Sequence, residues 1–240
     1  MQFNYDSLPI GYYDFEPRGV RYRWHKVEFL TVESLVRRKT PQILIDLGCG
    51  PGTFLRNYCS FVSKKVGFDI SANQITYASL KSPDKILFTS NKEDLMSAIE
   101  NGTSDLNKEI TGFSACITLL QLVEHISSNE TYSIINEISS LLKRQGATEI
   151  TVIMTTPNKF SAWPFLEKLV DLITGTNYRD QHINIMSPKV LLDRFSGLTS
   201  SKVHVFGFMT FAQWLILSPP CKLIKQFAFR CLLLIAIVDI

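Results

Sequence analysis

The sequence has 240 residues, of which 45% are hydrophobic, so it predicts one globular domain with additions and argues against a disordered chain. Its 25 basic and 22 acidic residues leave a formal charge of +3, which is too balanced to indicate a nucleic-acid partner. The five cysteines form no C-x-x-C pair and lie in apolar segments. We therefore expect reduced thiols in a cytoplasmic protein, and neither a disulfide framework nor a zinc site.

Residues 1–40 are rich in aromatic and charged side chains and are expected to form an N-terminal helical cap. Apolar residues from Trp24 to Leu35 recur at spacings near three and four, which predicts an amphipathic helix that ends at Pro41. The sequence does not open with the basic and then apolar pattern of a signal peptide. A cytoplasmic location is the expectation.

From residue 41 to residue 215 the sequence alternates between strand and helix patterns. In chain order it predicts strand QILIDL, helix TFLRNYCSFV, strand KKVGFDI, helix ANQITYASLK, strand KILFTS, a loosely patterned stretch over 92–112, strand GFSACITLL, helix TYSIINEISSLLKR and strand TEITVIMTT. A helical lid insertion at about 160–196 precedes the last strands, KVHVFGF and one within MTFAQWLIL. Such alternation is typical of parallel strands joined by crossover helices. The predicted fold is α/β, a doubly wound, mostly parallel seven-stranded sheet.

Residues 216–240 end in an apolar run from Cys231 to Val238, and Lys222, Lys225 and Arg230 precede it. We expect an apolar C-terminal helix, shorter than the roughly 20 apolar residues that a membrane span needs. Packing within or between chains is one interpretation. Peripheral contact with a membrane surface, with the cationic residues at the headgroups, is the other.

Three glycines follow the first strand in the stretch LIDLGCGPG. Gly48, Gly50 and Gly52 permit a tight turn and a close approach of the backbone to a ligand, although a plain strand-to-helix turn explains them as well. Asp69 ends the next strand, where an acid accepts hydrogen bonds from ribose hydroxyls. Asp46, beside the first glycine, disfavours a pyrophosphate and suits a cationic ligand. Together these residues predict a site for a positively charged nucleoside.

Five blocks carry a family resemblance: LIDLGCGPG, GFDIS, FTSNKEDL, ITLLQLVEHIS and TVIMTTPN. In this order, at successive strand ends and across roughly residues 20–210, they resemble the class I S-adenosylmethionine-dependent methyltransferases. One further block, YRDQHINIMSPKVLLDRF, is similar to a block seen in ubiquinone and other small-molecule O-methyltransferases. The resemblance implies a Rossmann-like methyltransferase fold, S-adenosyl-L-methionine as the cofactor, and methyl transfer to oxygen of a small-molecule or lipid-like acceptor.

The resemblance also implies which residues bind the cofactor, all of them near the carboxyl ends of the first four strands: Asp46, Gly48, Cys49, Gly50, Gly52, Asp69, Ile70, Asn91, Lys92 and Leu119. Asn91 and Lys92 stand where the family often has an Asp, and an amide oxygen can still accept a hydrogen bond from the adenine amino group. A helix start at Asn91 and ordinary core packing of Ile70 are the alternatives.

Glu124 and His125 follow the fourth strand and are candidates for the catalytic site, with His182 in the insertion as a third. Neutral imidazole is available near pH 7, so His125 can act as a general base; capping of the next helix is the other interpretation. In small-RNA terminal 2′-O-methyltransferases, a Glu-x-x-Glu-His block and a distant His hold a divalent metal. Gln121 stands here in place of the first Glu, and a neutral amide removes a charge that a hard cation prefers, so no metal is expected.

Two other functions stay open at this point. One is an RNA terminal 2′-O-methyltransferase with a divalent metal, which the small net charge and Gln121 disfavour. The other is a non-catalytic nucleoside-binding protein, which would keep the fold and lose turnover. The sequence predicts neither the methyl acceptor nor the oligomeric state.

Overall fold

The structure is a computed structural model that describes residues 10–11, 14, 19–82, 86–107, 112–161, 184–196, 202–208 and 233–240. Its helices are α1 (Gly19–Lys39), α2 (Thr53–Asn57), α3 (Ala72–Lys81), α4 (Lys92–Asn107), α5 (Ser128–Arg144) and α6 (Pro188–Phe195). Its strands are β1 (Ile43–Leu47), β2 (Lys64–Phe68), β3 (Ile86–Thr89), β4 (Phe113–Leu120), β5 (Ala147–Pro157), β6 (Lys202–Phe208) and β7 (Leu233–Asp239). Strand and helix alternate from β1 to β5, as the sequence predicts.

The seven strands form one sheet in the order β3-β2-β1-β4-β5-β7-β6. Neighbours from β3 to β5 are parallel, and β7 is antiparallel to both β5 and β6. The strand order reverses between β1 and β4, and in open parallel sheets ligands bind beyond the carboxyl ends of the strands at this point. The predicted doubly wound, mostly parallel seven-stranded fold is confirmed.

Each face of the sheet is covered by its own apolar core. Ile43 and Ile45 of β1 pack into the core that contains residues of α4 and α5, whereas Leu44 packs into the core on the side of α1 and α2. All five residues of β1 are buried. A strand covered on both faces reads as a continuous apolar run, and this explains the sequence pattern ahead of the glycine turn.

Helix α1 runs antiparallel to β5 along one face of the sheet. Near its C-terminus, Lys39 Nζ lies 2.7 Å from Asp239 Oδ1, which also accepts a hydrogen bond from Thr151 of β5. Further toward its N-terminus, Glu28 accepts a hydrogen bond from Thr155, four residues later in β5. The N-terminal turns of α1 therefore lie at the carboxyl edge of the sheet, where the ligand site is expected.

Local capping explains where the crossover helices begin. Ser127 and Glu130 form a reciprocal capping box at the start of α5, which satisfies two backbone N–H groups. Ser187 caps α6, and Pro188 occupies its first turn. Asn91 precedes α4, which lies in the stretch 92–112 that the sequence left without a clear pattern. These helices fix the direction in which the chain leaves each strand end.

The prediction of an apolar C-terminal helix over 216–240 is wrong for residues 233–239, which form β7 between β5 and β6. Leu234, Ile235 and Ala236 are fully buried. An apolar run without a polar face suits a strand covered on both sides, and hydropathy alone does not separate the two states. A helix on a membrane surface needs an exposed apolar face. Leu234, Ile235 and Ala236 do not provide one, because they are enclosed by the sheet and its covering layers.

Other boundary predictions are only partly observable. The N-terminal cap contains α1 from Gly19 onward, and the insertion at 160–196 contains α6, but 162–183 lie outside the described residues. The last strand expected within 209–217 also falls outside them, and β7 is the seventh strand. Among the helices that the structure describes, none combines the length and the apolarity needed to cross a bilayer.

Candidate active site

The turn after β1 is held by the end of β2. The backbone N–H groups of Gly48 and Cys49 both donate to the carbonyl oxygen of Phe68, at 2.8 and 3.0 Å. Gly48 and Gly52 have φ values of 71° and 72°, in the left-handed region that favours glycine. A Cβ atom on Gly52 would lie 2.5 Å from Cε1 of Phe88. Both backbone conformation and packing therefore require glycine here, and the Cys49 thiol is buried beneath the turn.

Asp69 joins this glycine turn to the start of α3. Its Oδ2 accepts the N–H of Gly50 at 2.8 Å, and its Oδ1 accepts the N–H of Ser71 at 2.9 Å. Each carboxylate oxygen has a second acceptor direction, so the group can still accept from ribose hydroxyls. The side chain of Ile70 is 58% exposed next to it, as an apolar surface for a base would be. These residues fit the expected nucleoside.

Asp46 lies beneath the turn and not at its surface. Its side chain is buried, and its Oδ1 accepts a hydrogen bond of 2.6 Å from Thr118 on the neighbouring strand β4. Burial raises the pKa of this carboxyl to about 7; the hydrogen bond from Thr118 opposes the rise, and the charges of Asp69 and Glu28 add to it. A positive charge above the turn would therefore favour the ionised form of Asp46.

The remaining predicted cofactor residues make contacts within the protein. Asn91 is exposed and accepts the N–H of Asp94 through Oδ1 at 3.1 Å, so it starts α4. The ammonium of Lys92 lies 2.6 Å from Glu137 on α5. Leu119 is fully buried in the core on the α4 and α5 side. Direct contact of these three side chains with the cofactor stays a prediction.

The chain beyond β4 turns sharply at Gln121. This residue has a φ of 53°, uncommon for a residue other than glycine, and its N–H donates to Thr155 Oγ1 at 3.1 Å. Glu124 is fully buried and His125 is partly buried in the turn that follows. Because β1 and β4 are neighbours in the sheet, this turn lies next to the glycine turn.

Asn184 connects the insertion to the same turn. Its backbone N–H donates to the carbonyl of Glu124 at 3.0 Å, and its side-chain amide donates to the carbonyl of Ile126 at 2.8 Å. His182 is two residues earlier in the chain and lies outside the described residues.

One buried acid at this edge was not predicted. Glu28 of α1 is fully buried, and its Oε1 accepts hydrogen bonds from Gln121 Nε2, at 2.9 Å, and from Thr155 Oγ1. The Nδ1 of His25 lies 3.4 Å from its Oε2. The available signal in the sequence was an acidic residue within the apolar stripe of an amphipathic helix, where it must find partners.

Metal binding has no support from the part of the chain that the structure describes. No three His, Cys, Asp or Glu side chains lie close enough together there to hold an ion. The amide of Gln121, which stands at the position of a metal-binding carboxylate in the RNA enzymes of the resemblance, donates to Glu28. His182 is not covered by this observation.

Comparison with known proteins agrees with this geometry. Residues 21–197 match the family described as methyltransferase domain. The chain is 28% identical over 95 residues to a dTDP-3-amino-3,6-dideoxy-alpha-D-glucopyranose N,N-dimethyltransferase of Streptomyces fradiae, covering 39% of this chain and 37% of that enzyme. It is 26% identical over 128 residues to a dTDP-3-amino-3,4,6-trideoxy-alpha-D-glucopyranose N,N-dimethyltransferase of Streptomyces venezuelae, covering 52% and 45%. The matched parts thus span less than half the length of these curated relatives.

Among solved structures, a complex of DhpI with SAH is similar in fold. The two chains superpose with a TM-score of 0.55 at 13% sequence identity, over 95% of this chain and 93% of the other. The family match covers more than half of the chain and includes the glycine turn, Asp69 and the turn after β4. This chain belongs to the methyltransferase domain family.

Proposed function

We propose that this protein methylates a small-molecule acceptor that binds beyond the carboxyl ends of β4 and β5. The observation that carries the proposal is the docking of Asn184 on the turn of Glu124 and His125, next to the glycine turn. The described end of the insertion thereby contacts the turn that carries the candidate base His125. We therefore expect the insertion to contribute to the acceptor side of the site.

Methyl transfer needs alignment and exclusion of water more than it needs acid–base chemistry. When bound, S-adenosylmethionine supplies a methyl carbon that is activated by a positively charged sulfur. The glycine turn and Asp69 orient the nucleoside, and Asp46 and Glu28 place negative charge below the site. His125 is the proposed base for an acceptor that must lose a proton.

Oxygen is the acceptor atom that we propose first, in line with the sequence resemblance; the ubiquinone-like branch and a lipid-like acceptor stay predictions. An amino nitrogen is the second candidate. It is favoured by the two relatives named as N,N-dimethyltransferases of amino sugars and by the buried acids Asp46 and Glu28, which favour positively charged groups at this edge.

The direct test is turnover with isotopically labelled S-adenosylmethionine. The purified protein is incubated with a matched panel of hydroxyl and amino compounds, including phenols, anilines and amino-sugar nucleotides, and products are followed by mass spectrometry. Labelled methyl ethers support the oxygen proposal, and labelled methylamines support the second candidate. Cofactor binding by calorimetry without methylation of any small molecule would sink the proposal, as would chelator-sensitive methylation of small RNA.

A further inference from the structure

Glu28 of α1 is an acidic residue at a fully buried position, which is unusual. Its side chain has no exposure to solvent, and Oε1 is held by two uncharged donors, Gln121 and Thr155. Its Oε2 is also buried, and it makes no hydrogen bond with any group that the structure describes. A buried carboxylate costs free energy unless charge or hydrogen bonds compensate it. The arrangement calls for a positive group at Oε2, at least during part of the reaction cycle.

His25 is placed to become that group. Its Nδ1 lies 3.4 Å from Oε2 of Glu28, one helical turn away. Helix α1 runs antiparallel to β5, and Glu28 contacts Thr155 near the carboxyl end of that strand. His25 is three residues before Glu28, so it lies about 4.5 Å further along the helix axis in the direction in which β5 ends. That position is beyond the carboxyl edge of the sheet, in the region where ligands of this fold bind. With 23% of its side chain exposed, His25 can be reached from this region.

We propose that His25 contacts the methyl acceptor and takes its proton, and that Glu28 is the positioning residue that orients and stabilises the imidazolium. The inference rests on the proposed function and adds a second candidate base, His25, to His125. Because Nδ1 is the ring nitrogen that lies near Glu28, Nε2 is on the side of the ring away from the carboxylate, as in other carboxylate–histidine pairs that accept protons.

The step balances without any further reactant. A lone pair of the acceptor oxygen or nitrogen forms the bond to the methyl carbon, and the carbon–sulfur bond breaks with its electron pair left on sulfur. The acceptor proton passes to Nε2 of His25 and then to water. The negative charge of the Glu28 carboxylate offsets the charge of the imidazolium while that ion exists.

The surroundings of the pair support this charge balance. Strand β1 contributes Asp46, whose pKa is raised in part by the charge of Glu28. Strand β5 and the turn after β4 contribute only the uncharged Thr155 and Gln121 at Oε1. On the side of α2, the ring of Phe29 lies between His25 and the ring of Tyr58. The partners at Oε1 are thus uncharged, so an imidazolium at His25 would supply the positive charge beside this carboxylate.

The experiment compares an acceptor that must lose a proton with one that need not. The probes are a phenol and a thiophenol, the latter already ionised at pH 8, each assayed with S-adenosylmethionine and the protein of 240 residues. We expect His25→Gln to lower kcat on the phenol about 100-fold, the scale of general base catalysis, and to change kcat on the thiophenol less than about threefold. Added imidazole should partly restore phenol methylation by His25→Ala, because a free base can replace a missing one.

Glu28→Gln keeps an oxygen for Gln121 and Thr155 but removes the charge. It should lower kcat on the phenol at least tenfold while the Kd for S-adenosylmethionine, measured by calorimetry, stays within about twofold. Glu33→Gln on the same helix, which removes the carboxylate that pairs with Arg37, and His204→Gln at the exposed β6 are the matched controls. Neither should change turnover.

Three outcomes would contradict the roles proposed for His25 and Glu28. One is normal phenol turnover by His25→Gln, and another is an equal loss with both probes, which indicates a purely structural role. The third is loss of activity only in His125→Gln, which assigns the proton to that residue alone. Wild-type turnover with the probes checks the proposed function itself, so failure of that function is seen separately, in the protein without substitutions.

Discussion

The carboxylate of Asp69 accepts the backbone N–H of Gly50 at 2.8 Å, so the acid expected to hold the ribose also holds the glycine turn. The same side chain accepts the N–H of Ser71 at the start of α3. The strand end, the turn and the helix start are therefore connected through one ionised group. A ligand that contacts Asp69 meets a turn whose shape is already set, which reduces the ordering that binding requires.

We expect Asp69→Ala to weaken binding of S-adenosylmethionine about 10- to 100-fold, because hydrogen bonds to a charged group contribute roughly 1.5–3 kcal/mol. The turn also loses its partner at Gly50. Isothermal titration calorimetry measures the change. Asp193→Ala, at an exposed position of α6, is the control and should bind normally. Equal affinities of the two variants would contradict the assignment of Asp69.

Gly52→Ala should destabilise the fold by about 2 kcal/mol or more, since the residue has a φ of 72° and its new Cβ would lie 2.5 Å from Phe88. Gly102→Ala is the matched control within α4, where the nearest atom to a new Cβ is 3.6 Å away. That substitution should stabilise the protein by roughly 0.5–1 kcal/mol, because alanine favours the helix. Urea unfolding measures the change in the free energy of unfolding for both variants. No change in Gly52→Ala would contradict the turn geometry.

Asp46 should make stability fall as the pH rises from about 4 to 7. Burial raises its pKa to about 7, above the value of 3.8 for an exposed carboxyl, so the folded state binds the proton more tightly than the unfolded state does. The contribution of protonated Asp46 to the free energy of unfolding is fully present below about pH 4 and is lost as the pH rises to about 7.

Asp46→Asn removes this titration and keeps an oxygen for Thr118. Its free energy of unfolding should rise relative to the wild type across this window, by up to about 4 kcal/mol. Urea unfolding at several pH values gives the difference, with Asp193→Asn as the exposed control. Parallel curves for Asp46→Asn and the wild type would show that the buried carboxyl does not titrate in this range.

A small N-terminal contact holds the helix that follows the glycine turn. Asp14 Oδ1 lies 2.9 Å from Arg56 Nη2 of α2, and Asp14 Oδ2 accepts a hydrogen bond from Tyr77 at 2.7 Å. The pair is mostly buried, with 10% and 21% of the two side chains exposed.

A double-mutant cycle with Asp14→Asn and Arg56→Gln should give a coupling energy of about 1 kcal/mol, because burial reduces screening by water. The pair of Lys92 and Glu137, with exposed fractions of 51% and 42%, is the surface control and should couple by about 0.3 kcal/mol. A coupling between Asp14 and Arg56 no larger than that of the control would indicate that the N-terminal segment does not hold α2.

The sequence predicted the sheet well where local patterns and topology agree. From β1 to β5, short apolar strands alternate with amphipathic helices, and each step is local in the chain. The start of α4 at Asn91 was only an alternative interpretation, because Gly102, Thr103 and Ser104 interrupt the helical pattern, although Leu95 and Ile99 bury one face. Strand β7 was mistaken for a helix because its apolar run fits either structure. Pairing with β5 and β6 decides that it is a strand.

Some residues of the candidate site could be predicted from local patterns in the sequence, and others could not. The glycine turn and Asp69 were predicted because their spacing in the chain reflects consecutive strand ends. The contacts of Glu28 with Gln121 and Thr155 join residues 93 and 127 positions apart, and no local pattern records such pairing. The inward orientation of Asp46 toward Thr118 was likewise hidden, because sequence shows that a residue is charged but not which way it faces.

The place of β7 also determines the order in which the protein can assemble during synthesis. Among the described strands, β6 pairs with β7 alone, yet the ribosome makes β6 first. Strand β6 must wait for residues 233–239 before it can join, whereas β1 to β5 can pair as they emerge. The half of the sheet with the glycine turn and Asp69 can therefore form while the edge that supports the acceptor side is still incomplete, and β5 stays an open edge until then.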